Sequence, residues 1–193
     1  MIVLGITGGI GSGKSYISSL LREKMNVSVY DCDAEAKRLI CEDYTVRQKL
    51  SELVGVNIYE DGKLQKQMLA DFLFASQENA QMMNSVVQPA VKKDFLQWVR
   101  QQHDEVVAME SAILYESGFD GTVDKVLFVS APLELRIQRV MHRDGCTRQQ
   151  VEARINMQQS EAQRGKADYV IENDDAKQEV LLASLQEIIK NIN

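Results

Sequence analysis

Gly8-Gly9-Ile10-Gly11-Ser12-Gly13-Lys14-Ser15 follows an apolar run, Ile2 to Thr7, and precedes a helical pattern, Ser15 to Lys24. The stretch fits G-x-x-x-x-G-K-S, a phosphate-binding loop. Its glycines let the backbone curl so that successive N–H groups face inward toward phosphate oxygens. The helix that opens near Ser15 adds the positive end of its dipole. Lys14 sets an ammonium at the β- and γ-phosphates, and the Ser15 hydroxyl is a ligand for Mg²⁺. The loop therefore predicts binding of Mg-ATP, with Gly9, Gly11, Ser12, Gly13, Lys14, Ser15 and Tyr16 around the phosphates and Lys14 acting in catalysis.

Working outward, four further apolar runs read as buried parallel strands: Val27 to Tyr30, Glu105 to Met109, Lys125 to Ser130 and Tyr169 to Ile171. Helical periodicity marks Leu133 to His142, Gln149 to Gln163 and Gln178 to Asn191. This alternation predicts a three-layer α/β/α fold with a five-stranded parallel sheet. The second and third strands are separated by Asp31 to Asp104, far more than a crossover needs. That stretch reads as mostly helical: Ala34 to Cys41, Val46 to Leu53, Lys66 to Ala75, Asn79 to Val87 and Ala90 to Gln102. The expected organisation is one kinase domain with a core of 1–30, 105–135 and 167–193, a helical acceptor subdomain over about 31–104 and a lid over about 136–166.

Composition narrows the function. Hydrophobic residues make up 45% and charged residues 26%, as in soluble globular proteins. A net charge of −6 argues against nucleic-acid and membrane-surface partners, which call for a basic face. Three cysteines without CxxC spacing read as reduced thiols of a cytoplasmic protein, and two histidines leave little for a histidine metal site or a Ser-His triad. The N-terminal residues have neither the charged start of a signal peptide nor the length of a membrane span. The D-x-x-G and N-K-x-D motifs of switch GTPases are missing from the sequence, so a small kinase is the expected class. The sequence carries no signature of oligomeric state.

Three groups of residues are candidates for the rest of the site. Asp31-Cys32-Asp33 follows the second strand, and Asp33 is placed to act as base on an acceptor hydroxyl or to cap a helix. Glu110 ends the third strand, where in many P-loop proteins a carboxylate holds Mg²⁺ through water, and Glu116 follows it; each reads equally as a structural surface carboxylate. Between Arg136 and Lys166 stand seven basic residues against three acids, inside an acidic protein. Arg136, Arg139 and Arg143 recur at one helical face. Their planar, permanently charged forks suit a lid over a triphosphate.

These pieces together resemble the dephospho-coenzyme A kinase family along nearly the whole chain. The resemblance rests on Ile6 to Ser15, on Tyr30-Asp31-Cys32-Asp33 and on Asp61-Gly62-Lys63-Leu64. It continues through Glu110 to Glu116, Arg139 with Arg143-Asp144, and Ala167-Asp168-Tyr169-Val170-Ile171-Glu172-Asn173. It implies transfer of the γ-phosphoryl group of ATP to the ribose 3′-hydroxyl of dephospho-coenzyme A, giving coenzyme A and ADP, the last step of coenzyme A biosynthesis. It further implies Asp33 as base, Arg139 and Arg143 as lid arginines and Asn173 near adenine. The chain departs from the family pattern at Tyr16 in place of threonine, Gln88 for histidine before Pro89, Glu110 for aspartate and Ala112 for proline. Two other readings stand beside this one: a small-molecule kinase with a nucleoside or nucleotide acceptor, and a nucleotide-binding protein without catalysis.

Overall fold

A computed structural model of the chain describes residues 1–158, 163–175 and 177–192. Residues 159–162 of the expected helix over 149–163, with the acid Glu161, lie outside the described residues, as do 176 and 193 of the expected core. The chain divides into two compact units, residues 1–31 with 102–193, and residues 32–101.

The first unit is built on five parallel strands: β1 (Ile2–Thr7), β2 (Ser28–Asp31), β5 (Val106–Glu110), β6 (Lys125–Ser130) and β7 (Tyr169–Glu172). Their order across the sheet is β2-β5-β1-β6-β7. After β1 the chain moves to one side through β2, and after β5 to the other through β6. The order thus reverses at β1, and the carboxyl end of β1 is the switch point where open α/β sheets bind ligands. Both faces of β5 are buried along its whole length, which explains its unbroken apolar run. Helix α1 (Lys14–Met25) and the C-terminal helix α8 (Gln178–Ile192) bury Ile17, Leu20, Leu21, Leu181, Leu185 and Ile188 against Leu4, Ile6, Ala108, Leu127 and Val129 of the sheet. On the opposite face Gly5 leaves room for Leu114; a Cβ there would stand 2.6 Å from the leucine methyl.

After β6 come α6 (Leu133–Asp144) and α7 (Arg148–Met157). Gly145 ends α6 in the left-handed region, φ 65°, and Thr147 opens α7 with a capping box to Gln150. Ile137, Val140 and Val151 pack between the two helices.

The second unit contains α2 (Cys32–Glu42), α3 (Tyr44–Val54), α4 (Lys66–Ala75) and α5 (Gln77–Arg100). Here the structure corrects the sequence reading twice. The helices expected over Asn79 to Val87 and Ala90 to Gln102 are one helix that runs through Pro89. Proline costs a helical hydrogen bond, but Val87, Val91 and Phe95 on either side of it are buried, and α5 packs on α2, α3 and α4. Tertiary burial outweighs the local break. Ser76 caps α5 by accepting from Asn79 N–H, which sets its start before the expected residue. The second correction is a short antiparallel hairpin, β3 (Tyr59–Glu60) with β4 (Lys63–Leu64). Asp61 and Gly62 turn it with φ 48° and 78°. Asp-Gly with both residues in the left-handed region is the usual two-residue hairpin turn. Among the described residues no helix is long and apolar enough to cross a membrane.

Candidate phosphate-binding active site

The loop from Gly8 to Ser15 leaves β1 and enters α1, so its backbone is anchored at both ends. The Lys14 ammonium curls back over it and donates to the carbonyls of Gly8 at 3.0 Å and Gly9 at 3.3 Å. The Ser12 N–H closes the turn by donating to Gly9 O at 3.1 Å. Two glycines are demanded by more than the curl. Gly11, φ 77°, would put a Cβ 2.5 Å from the Arg136 carbonyl, and Gly13, φ 92°, would put one 2.0 Å from the Asn173 amide nitrogen. The loop is gripped from outside as tightly as it is bent within.

That outer grip comes from far along the chain. The buried Asn173, placed just beyond β7, donates its side-chain amide to Ser12 O at 2.9 Å, and its own N–H donates to Ser130 O at 2.7 Å. Arg139 of α6 points Nη1 at the Gly11 and Ser12 carbonyls, 3.5 Å from each. Its Nη2 donates to Asn173 Oδ1 at 3.4 Å and to Asp175 Oδ1 at 2.7 Å. Arg136 is not on an open basic face. It is 2% exposed, and its Nε donates to Ile10 O at 2.9 Å. The Ile10 N–H donates to Gln158 Oε1 at 2.8 Å.

At the carboxyl edge of the sheet, Ser15 Oγ donates to Glu110 Oε1 at 2.8 Å. Glu110 is 7% exposed, and its second oxygen is buried without a hydrogen-bond partner among the described residues. In the sheet register it stands beside Asp31, the last residue of β2. A buried carboxylate next to a hydroxyl is a set of hard oxygen donors and fits Mg²⁺, which takes one or two protein ligands and completes its shell with water and phosphate. Glu116, in contrast, is exposed.

The predicted residues therefore separate. Gly9, Gly11, Ser12, Gly13, Lys14, Ser15, Glu110, Arg139 and Asn173 come together at the end of β1. Tyr16 lies in the first turn of α1 and is 41% exposed. Arg143 is mostly exposed and paired with Asp144 at 2.7 Å. That bond holds the Asp144 carboxyl below the usual carboxylate range. Arg148 is taken by Glu134 and Glu152, and Arg154 by Asp144. Asp33 lies in the first turn of α2, within the helical unit, where the helix dipole favours its charge. Gln158 and Asp175 are absent from the sequence reading. Neither belongs to a charge cluster or motif, and only the fold brings them to the loop.

Comparison with known proteins bears on the family and the fold. The family profile described as Dephospho-CoA kinase matches residues 2–179. The dephospho-CoA kinase of Bacteroides fragilis strain YCH46 is 46% identical over 180 residues, covering 91% of this chain and 86% of that one. The crystal structure of TT1252 from Thermus thermophilus superposes with a TM-score of 0.84 at 32% identity, over 100% of this chain and 98% of that one. At the level of the fold alone, the dephospho-CoA kinase from Campylobacter jejuni gives a TM-score of 0.71 at 20% identity, over 98% and 96% of the two chains.

Proposed function

The chain belongs to the dephospho-CoA kinase family, and we infer from this premise that it transfers the γ-phosphoryl group of ATP to the ribose 3′-hydroxyl of dephospho-coenzyme A. The bond between the γ-phosphorus and the β,γ-bridging oxygen breaks, the bond from the 3′-oxygen to phosphorus forms, and ADP leaves. The observation that carries the reading is the Ser15–Glu110 pair, 2.8 Å apart at the mouth of the phosphate loop.

Phosphoryl transfer asks a protein chiefly to position groups and offset charge. Lys14, already bent over the loop, meets the β- and γ-phosphates. Arg139 takes up charge on the same phosphates, and Arg143 joins it when it leaves Asp144. Asn173 lies beside the adenine. Ser15 and Glu110 would hold Mg²⁺, which would supply positive charge to offset that of the phosphates. Asp33 accepts the proton of the 3′-hydroxyl. The helical unit serves the acceptor. An apolar cavity of about 410 Å³ within it, lined by Ile40, Leu64, Leu69, Leu73 and Met83, supports that role. Cysteines outside any disulfide at Cys32, Cys41 and Cys146 support a reducing compartment, the cytoplasm.

A coupled assay of ADP release tests the assignment. Release should depend on added dephospho-coenzyme A and stay near background with nucleosides, nucleotides or water alone. Equal release without dephospho-coenzyme A would overturn the acceptor.

A further inference from the structure

Ile10 is held at three points by the helices that follow β6. Its carbonyl accepts from Arg136 Nε on α6 at 2.9 Å, and its N–H donates to Gln158 Oε1, just past α7, at 2.8 Å. Its side chain packs against Ile137, Val140 and Val151. The two hydrogen bonds act on consecutive peptide planes. Gln158 pins the Gly9–Ile10 plane, and Arg136 pins the Ile10–Gly11 plane. The first plane also carries the Gly9 carbonyl, which accepts from Lys14 Nζ at 3.3 Å and from Ser12 N at 3.1 Å. The second carries the Gly11 N–H, part of the inward-facing row that a phosphate meets. Turning the first plane moves the carbonyl that holds Lys14, and turning the second moves an N–H of the phosphate nest.

The two side chains suit these positions. A carbonyl needs a donor, and Arg136, 2% exposed, gives it a charged one. An N–H needs an acceptor, but a carboxylate beside the phosphates would repel them. The neutral amide of Gln158 accepts without that charge. We propose that Gln158 is a positioning residue for ATP: by capping the Ile10 N–H it fixes the Gly9–Ile10 peptide, and through the Gly9 carbonyl it sets Lys14. This inference rests on the kinase reading above for its ligand.

The test compares Gln158→Met, which keeps length and loses the acceptor, with Gln158→Glu, which keeps the acceptor and adds charge. In Gln158→Met the Ile10 amide should exchange with deuterium faster than in the wild type. Mg-ATP binding by calorimetry should weaken roughly threefold to tenfold, the range of a single hydrogen bond. The KM for dephospho-coenzyme A should not change, and the melting temperature should fall by no more than about 2–4 °C, the loss of one hydrogen bond. Gln158→Glu should keep the slow Ile10 exchange yet bind ATP more weakly, with a deficit that shrinks as salt is raised. Unchanged or tighter ATP binding by Gln158→Met would overturn the proposal, the second because Gln158 would then compete with phosphate. Parallel losses for both substrates with a larger fall in melting temperature would also overturn it, as a general structural effect. Failure of the wild type to bind Mg-ATP would instead remove the kinase reading, while Ile10 exchange would still decide whether Gln158 pins the loop.

Discussion

Most contacts that hold Gly8 to Ser15 end on backbone atoms: the carbonyls of Gly8 and Gly9 accept from the loop's own Lys14, and the carbonyls of Ile10 and Ser12 and the N–H of Ile10 are met by side chains from far along the chain. In the helical unit the cohesion is side chain on side chain. Val87, Val91 and Phe95 line one face of α5, and Arg38 ties Glu35 to Asp94 across α2 and α5. Tyr59 adds a bond to the backbone by donating its hydroxyl to Ile40 O at 2.7 Å, and burial pushes that phenol up to about 12. A region that works through backbone atoms must be rich in glycine and tolerates few substitutions. A region that works through packing tolerates many, provided volume and pattern are kept. The two regions should therefore fail in different ways.

Asp33 gives the hardest test of that division, because it is the residue of the helical unit to which chemistry is assigned. Asp33→Asn keeps size and removes basicity. Single-turnover transfer should fall about a hundredfold to ten-thousandfold, with ATP affinity kept and stability lowered by about 1 kcal/mol or less. Full turnover would return Asp33 to the helix and leave Asp31 and Glu110 as carboxylates to test.

Phe95→Ala and Lys14→Ala sharpen the contrast as a pair. Phe95 is fully buried, so its truncation should cost about 3–5 kcal/mol in urea unfolding. Lys14→Ala should leave unfolding within about 1 kcal/mol of the wild type and cut turnover about a hundredfold to a thousandfold. A Lys14→Ala protein that turns over normally would dissolve the distinction.

The smallest effect belongs to Asp168, which the sequence offers as part of the Ala167 to Asn173 motif. It accepts from Lys125 Nζ at 2.8 Å and from Val126 N–H at 2.9 Å, and so ties the start of β7 to β6. The Lys125 bond holds its carboxyl below the usual range. A depressed carboxyl stabilises the fold above its unfolded value, about 4, and loses that contribution as pH falls through its folded value. Asp168→Asn should cost about 1 kcal/mol at pH 7, a figure kept small by exposure of the pair. The melting difference from wild type should close as the pH is lowered past 4; a difference that persists in acid would assign it to packing.

The glycine spacing, Lys14 and Ser15 were legible because a phosphate nest constrains residue type at every step. All five strands of the parallel sheet were legible as apolar runs; the three central ones, β5, β1 and β6, are buried on both faces, while β2 and β7 at the edges are only partly buried. The hairpin at Asp61-Gly62 had a readable signal that the helical pattern around it masked. Pro89 gave a false one, since local propensity counts a lost hydrogen bond and not the burial of Val87, Val91 and Phe95 that overrides it.

By itself, then, the sequence determined the phosphate loop, the parallel sheet and the family, because each is written in residues close together in the chain. Only the tertiary structure decided how the arginines of α6 differ. Arg136, Arg139 and Arg143 look alike on a helical repeat, yet one is buried against Ile10, one reaches Asn173 and Asp175, and one turns outward to Asp144. Gln158 and Asn173 lie 148 and 161 residues from their partners in the loop. No local periodicity encodes such pairings; they arise when β6, β7 and the helices between them close over the end of β1.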